Sequence, residues 1–132
     1  MTQEPVRLIP RGTDPAAVAA REAVESAIRH AIQAHRVLLV RDAQGRERTV
    51  QPHAVFRSHL GKRDLHSYQV GGYSSSGKLP QWRNLPVEAI AEVTVTDEPF
   101  HPRSDFNPTN TNTFAPGSIE IMVDPPEPPQ PS

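Results

Sequence analysis

The sequence has no cysteine among its 132 residues, which excludes a disulfide framework and a thiolate metal site. No apolar run approaches the roughly 18 residues of a membrane-spanning helix, and the opening "MTQEPVRLIPRGTDP" lacks the apolar core of a signal peptide. We therefore expect a soluble, cytoplasmic protein with no membrane partner. Apolar residues are also scarce at 36%, below the roughly 45–50% of ordinary globular domains.

Proline is unevenly spread, and this divides the chain. Nine of its fifteen prolines lie between Pro99 and Pro131. We predict a flexible N-terminal arm over residues 1–13, one folded domain over residues 14–103, and a Pro-rich, largely disordered tail over residues 104–132. Within that tail, "SIEIMV" alternates apolar and polar residues, so it can either add a short strand or bind a partner.

The net charge of −1 conceals two blocks of opposite sign. Between Arg29 and Arg63, eight basic residues face two acidic ones, whereas residues 84–132 hold eight acidic residues and one basic residue. The basic block can present a positive face to phosphates. Alternatively, its arginines are solvated alternate positions on half-exposed strands.

A helix is predicted over residues 15–35, since Thr13 or Asp14 can cap it and Pro15 suits its first position. Its apolar stripe consists of Val24, Ala27, Ile28, Ala31 and Ile32.

Five short strands are predicted after the helix, at residues 37–40, 47–57, 65–70, 82–85 and 91–100. The second contains Pro52, which must lie at an edge or a bulge. A short helical turn precedes the last strand. The pattern predicts a mainly β fold with one N-terminal helix (α+β), and closure into a small barrel would remove the sheet edges.

The segment "YQVGGYSSSGKLPQW", from Tyr68 to Trp82, contains a glycine- and serine-rich loop. Gly72 to Lys78 matches the spacing of a phosphate-binding P-loop, but Leu79 replaces its Ser or Thr and Pro80 prevents the helix that must follow. A hairpin loop is therefore predicted. Its backbone N–H groups and serine hydroxyls can hold an oxyanion.

The chain resembles the WYL domain family over about residues 24–107, through "VQPHAV", the Gly61-Lys62 turn, "YQVGGYSSSGKLPQW" and "FHPR" in that order. The resemblance implies an Sm- or SH3-like five-stranded β-barrel preceded by a helix. WYL domains usually lie behind a helix-turn-helix in bacterial transcription regulators, where they are thought to sense ligands such as nucleotides or single-stranded nucleic acid. The arginines that usually contact the anionic ligand in that family are replaced here, within residues 85–90.

Tyr68, Tyr73 and Trp82 flank the loop, where aromatic rings can stack on bases. Alternatively, Tyr68 and Trp82 complete a thin core with their polar atoms at its rim. Among the six histidines only His66 has a carboxylate at ligand spacing, Asp64, which a strand would place on the same face; His30 and His35 are five residues apart on the helix. A metal site is therefore not predicted.

We therefore predict a non-enzymatic, regulatory or ligand-binding module for an anionic nucleotide-like or single-stranded nucleic-acid ligand, without catalytic residues, metal or cofactor. The predicted ligand-binding residues are Arg48, His53, Lys62, Tyr68, Gln69, Tyr73, Ser75 and Arg83. The alternative is a protein–protein interaction adaptor that uses the barrel and the Pro-rich tail, where "PPEPPQP" suits a polyproline-recognising groove.

Overall fold

The computed structural model describes residues 15–124, which form one helix and one antiparallel sheet. The predicted mainly β fold with an N-terminal helix is confirmed. The elements are α1 (Pro15–Ala34), β1 (Arg36–Asp42), β2 (Glu47–Arg57), β3 (Arg63–Gly72), β4 (Gln81–Pro86), a 3-10 turn (Val87–Ala89), β5 (Ile90–Pro99) and β6 (Ile119–Met122). The predicted N-terminal arm, the capping residues and residues 125–132 lie outside the described part of the chain.

The strands follow the order β4-β3-β2-β1-β5, and β6 pairs with the end of β2 that β1 leaves uncovered. The sheet is not closed into a barrel, because within residues 15–124 β4 and β5 do not pair with each other. Val87 and Ile90, in the short connection between these strands, are both buried. That connection is therefore held in the core at the gap, where closure of the barrel would have required β4 and β5 to meet.

The predicted apolar stripe of α1 packs on one side of the sheet, against β1, β2 and β5. Ile28, Ala31 and Ile32 are buried, and the other two stripe residues are half-buried. We call this side of the sheet the helix face. Its buried strand residues include Leu38, Val40, Val50, Val55 and Leu65.

Two irregularities in the pairing of β2 with β3 decide which side chains reach each face. The register shifts between Pro52 and Ala54, so of the two predicted alternatives for Pro52, an edge or a bulge, the structure has a bulge, with His53 as the extra residue. A second shift leaves Val70 without a partner on β2, and its side chain is exposed. Since strand side chains alternate between faces, each bulge changes the alternation beyond it.

Residues 100–118, which we call the strap, cover the opposite side of the sheet, the aromatic face. Phe100, Phe106 and Phe114 are buried there among the rings of His53, His66, Trp82 and Phe56. Residues 104–124, which were predicted to belong to a largely disordered tail, lie in the strap, in β6 and in the two residues after β6 in this structure. The physical reason is that Phe106 and Phe114 remove apolar surface from water by covering the second face.

The "SIEIMV" segment adds a strand, which was one of the two predicted alternatives. Helix α1 is too polar to cross a bilayer, and it is the one α-helix of residues 15–124.

Candidate anion-binding site

Four buried polar atoms on the helix face have no hydrogen-bond partner within the described protein: Arg48 Nε, Ser67 Oγ, Gln69 Oε1 and Arg83 Nε. They come from three neighbouring strands. Arg83 of β4 is opposite Ser67 of β3. Val50 of β2 is opposite Gln69, and Arg48 lies two positions before Val50 on the same strand. A buried polar group without a partner costs about 1–3 kcal/mol, so four of them on one face make this region a candidate for binding a ligand.

Gln69 lies in the middle of this group and is fully buried. Its Nε2 donates to the carbonyl oxygens of Gly71 at 3.0 Å and Tyr73 at 2.7 Å. Both partners can only accept hydrogen bonds, so the orientation of the amide is fixed and Oε1 is presented as an acceptor. The same two bonds fold the chain that follows β3 back over the helix face.

The residues after β3 form what we call the Tyr73–Ser74 turn. The Tyr73 ring centroid lies 4.7 Å from Cζ of Arg46 and 5.1 Å from Cζ of Arg48, while Ser74 Oγ accepts a hydrogen bond from Arg83 Nη2 at 2.9 Å. The turn therefore reaches from β2 across β3 to β4. It gathers Arg46, Arg48 and Arg83 into one arginine cluster.

Gly72 explains how the turn can lie so close to β2. Its φ is +86°, and a Cβ atom there would lie 2.3 Å from the carbonyl oxygen of Glu47 and 2.7 Å from Cα of Arg48. The N–H of Tyr73 donates to that same Glu47 oxygen at 2.8 Å. Only glycine tolerates both this backbone conformation and this approach.

Asp42 holds two of the arginines in place. Its carboxylate accepts hydrogen bonds from Arg46 Nε at 2.8 Å, from Arg48 Nη1 at 3.3 Å, and from the backbone N–H groups of Gln44 and Arg46. Burial acts to raise the pKa of Asp42, but these hydrogen bonds outweigh it and lower the pKa to about 2. Three guanidinium groups and one carboxylate leave the site with a net charge of +2.

A cleft of about 170 Å³ opens beside the cluster, between the start of β2 and the β4–β5 connection. Its floor includes the apolar residues Val40, Leu85 and Ile90, and its polar lining includes Asp42, Arg46 and Arg48. It is smaller than the roughly 300–1,000 Å³ of typical ligand pockets. It therefore suits one group of a ligand, with the remainder lying on the surface.

Of the eight predicted ligand-binding residues, the structure brings four together here: Arg48, Gln69, Tyr73 and Arg83. Ser75 follows Ser74 of the turn and is exposed. Tyr68 precedes Gln69 by one residue and so lies on the aromatic face, under the Arg103 guanidinium at 3.9 Å. Lys62 lies in the β2–β3 turn, where it pairs with Glu88 at 3.1 Å, and His53 is buried on the aromatic face.

Sequence reasoning did not select Asp42, Arg46, Ser67 or Ser74. For Ser67 a signal was present, because it alternates with Leu65 and Gln69 on β3 and must share their face. The hydrogen bonds of Asp42 and Ser74 depend on the shapes of two turns, which residue order alone does not reveal.

His53 shows a different environment. Its Nδ1 lies 2.8 Å from the carbonyl oxygen of Gln51, and its Nε2 accepts the N–H of Arg103 at 3.0 Å. These bonds require the neutral ring with its proton on Nδ1. Burial lowers the pKa of His53 to about 4. His53 thus fixes the strap to the sheet and offers no free nitrogen to a ligand.

Much of the remaining basic block is neutralised within the molecule. Glu120 of β6 accepts from Arg63 at 2.6 Å and lies 3.3 Å from Arg57 and 3.8 Å from Arg29. These arginines join α1, β2 and β3 to the last strand. The basic block and the acidic second half of the chain therefore partly neutralise each other through these ion pairs.

No protein-family model matches this chain, and no curated protein matches it. The resemblance to WYL domains accordingly stays a prediction that depends on the segment from Tyr68 to Trp82 and the order of features around it.

Proposed function

We propose that the chain is a non-enzymatic, WYL-like regulatory module that binds an anionic ligand, either nucleotide-like or single-stranded nucleic acid, at the arginine cluster. The observation that carries the proposal is a set of three buried, unpartnered groups on adjoining strands that can donate hydrogen bonds: Arg48 Nε, Arg83 Nε and Ser67 Oγ. Proteins generally satisfy such groups, and an anion would supply the acceptors that they lack. Gln69 Oε1 can only accept, so it would face a donor group of the ligand.

The chemistry of the cluster favours an anion. Arg48 and Arg83 each present a buried Nε–H, and Ser67 adds a hydroxyl. Guanidinium groups match the oxygens of phosphates in geometry as well as in charge. A hydrogen bond that involves a charged group is worth about 1.5–3 kcal/mol, and partial burial reduces its screening by salt.

Kinship with Sm- or SH3-type domains belongs to the same proposal. A helix precedes the antiparallel sheet, and the gap between β4 and β5 coincides with the cleft beside the cluster. The site would then lie at the open side of the sheet, where a ligand can enter without separating paired strands.

The test is fluorescence anisotropy with a fluorescein-labelled ten-nucleotide oligothymidylate at low salt, where phosphate contacts are strongest. We expect Arg48→Gln to weaken binding roughly 10-fold and to reduce the slope of log affinity against log salt by about 0.7. Lys62→Gln is the matched control: it removes the same charge from an exposed position away from the cluster, and it should leave affinity nearly unchanged.

Undetectable binding by the wild type, or equal losses in both variants, would contradict the proposal. One of the two segments that favoured the adaptor alternative, "SIEIMV", is paired with β2 as strand β6. Its other segment, "PPEPPQP", lies outside the described residues.

A further inference from the structure

The Tyr73–Ser74 turn contacts the arginines of the cluster. Arg48 of β2 and Arg83 of β4 flank Gln69 of β3, and the turn folds back over this strand to contact both arginines. Ser74 Oγ stands 2.9 Å from Arg83 Nη2, the distance at which a phosphate oxygen would be held. The Nε atoms of both arginines are buried and have no partner.

The contacts between the turn and the arginines are weaker than those that a phosphate would make, although the backbone of Tyr73 is also bonded to Gln69 Nε2 at 2.7 Å and to the Glu47 oxygen at 2.8 Å. Ser74 offers a neutral hydroxyl to a cation, and Tyr73 OH lies 3.4 Å from Arg46 Nη1, beyond the ordinary hydrogen-bond length. The Tyr73 ring adds a cation–π contact, and its edge remains 38% exposed. An anionic oxygen forms roughly twice as strong a hydrogen bond with a guanidinium group as a neutral acceptor does.

The outer part of the turn is loosely surrounded. No atom lies within 4 Å of a Cβ built at Gly77, whereas Gly72 is packed against the backbone of β2. Residues 75–78, between Ser74 and Leu79, are all exposed. Movement of residues 73–77 would therefore break few apolar contacts, in contrast to movement of any strand.

We propose that the Tyr73–Ser74 turn is a built-in competitor, which covers the arginine cluster in the unliganded protein and is displaced when an anion binds. This inference rests on the proposed function. The apparent affinity is then the intrinsic affinity multiplied by the fraction of molecules in which the turn is open. Removal of a contact that closes the turn should raise that fraction and tighten binding, even though it removes a polar or aromatic group from the site.

The experiment measures binding of the same labelled oligothymidylate to Ser74→Ala and Tyr73→Ala, with Ser26→Ala as the control. Ser26 is an exposed serine on α1, outside the arginine cluster and the turn. We expect the first two variants to bind about 3- to 10-fold tighter, with faster association. Ser26→Ala should bind like the wild type. Thermal unfolding of each variant verifies that the fold is retained.

A second measurement needs no ligand. The N–H of Tyr73 donates to the Glu47 oxygen when the turn is closed, so its hydrogen exchange should be faster in Ser74→Ala than in the wild type, while amides within β2 and β3 are unchanged.

The outcomes separate the two proposals. If the wild type binds and Ser74→Ala or Tyr73→Ala binds equally or more weakly, the turn is no competitor and the proposed function stands. If no protein binds the oligonucleotide, the competitor proposal and the proposed function fail together. Unchanged exchange at Tyr73 in Ser74→Ala would also overturn the competitor proposal.

Discussion

The two faces of the sheet differ in whether their polar side chains have hydrogen-bond partners. On the aromatic face, His53 has a partner for each ring nitrogen, His66 lies 2.6 Å from Asn84 Oδ1, and Trp82 Nε1 donates to Asp105. On the helix face, Arg48, Ser67, Gln69 and Arg83 each leave a buried atom without a partner. Ser118 Oγ, in the strap, is the exception on the aromatic side.

The presence or absence of a hydrogen-bond partner therefore separates structural from functional polar residues in this small domain. A histidine whose two nitrogens are both bonded stabilises the fold and has no capacity left for a ligand. An arginine or glutamine that bears a cost of about 1–3 kcal/mol for an unpartnered atom is one that binding can satisfy. The three predictions below test this contrast, starting with the largest expected effect.

Gly72→Ala should destabilise the protein by about 4 kcal/mol, because a positive φ and a backbone clash act together. It should also abolish oligonucleotide binding, since the clash with Glu47 and Arg48 distorts β2 at the cluster. Urea unfolding measures the first effect and anisotropy the second. Gly77→Ala is the control: its φ is also positive but the space is open, so it should cost only about 1–2 kcal/mol. Equal effects of the two substitutions would contradict the close approach seen at Gly72.

Acid should weaken the aromatic face before it weakens the arginine cluster. The folded state holds His53 neutral with a pKa of about 4, whereas the unfolded chain titrates near 6.5. The stabilisation is therefore complete above about pH 6.5 and is lost as the pH falls toward 4, to a total of about 3 kcal/mol. Protonation would place a donor on Nε2 against the N–H of Arg103.

Urea unfolding between pH 7 and pH 4 measures this loss, and His53→Gln should flatten the pH dependence. The same slope in wild type and variant would show that other groups cause it.

Ser67→Ala should be neutral or should stabilise the protein by about 1 kcal/mol, since it removes a buried hydroxyl that has no partner. It should at the same time weaken oligonucleotide binding about 3-fold, because the hydroxyl that is removed would form a hydrogen bond with the ligand. A gain in stability with a loss of affinity is the mark of a functional polar group. Clear destabilisation by Ser67→Ala would mean that the hydroxyl is satisfied in solution, and the contrast between the faces would weaken.

Most of the fold was predictable because its signals are periodic. The stripe on α1 recurs every three or four residues, and β1 to β5 show short apolar runs between turn residues. The strap was not predictable. Phe106 and Phe114 are isolated among Asn, Thr and Pro, and their burial depends on a sheet face that forms only in three dimensions.

The candidate site was predictable only in part, since residue type indicates chemistry whereas alternation decides direction. Gln69 and Tyr68 are adjacent and were both predicted, yet one faces the cluster and the other lies under Arg103. The bulge at His53 sets that residue's direction, and no single-residue propensity encodes it. Only the register of β2 against β3 and β4 shows that Arg48 and Arg83 are neighbours of one site.

The order of the strap and β6 in the chain has a consequence for folding during synthesis. A ribosome releases the chain from its N-terminus, so α1 and the strands as far as β5 emerge before the strap and β6. Until the strap emerges, the rings of Phe56, His66 and Trp82 lack the cover of Phe106 and Phe114, and until β6 emerges, Arg57 and Arg63 lack Glu120. A nascent chain halted before the strap would thus expose an aromatic surface, and a chain halted between the strap and β6 would have that surface covered but would lack the Glu120 ion pairs.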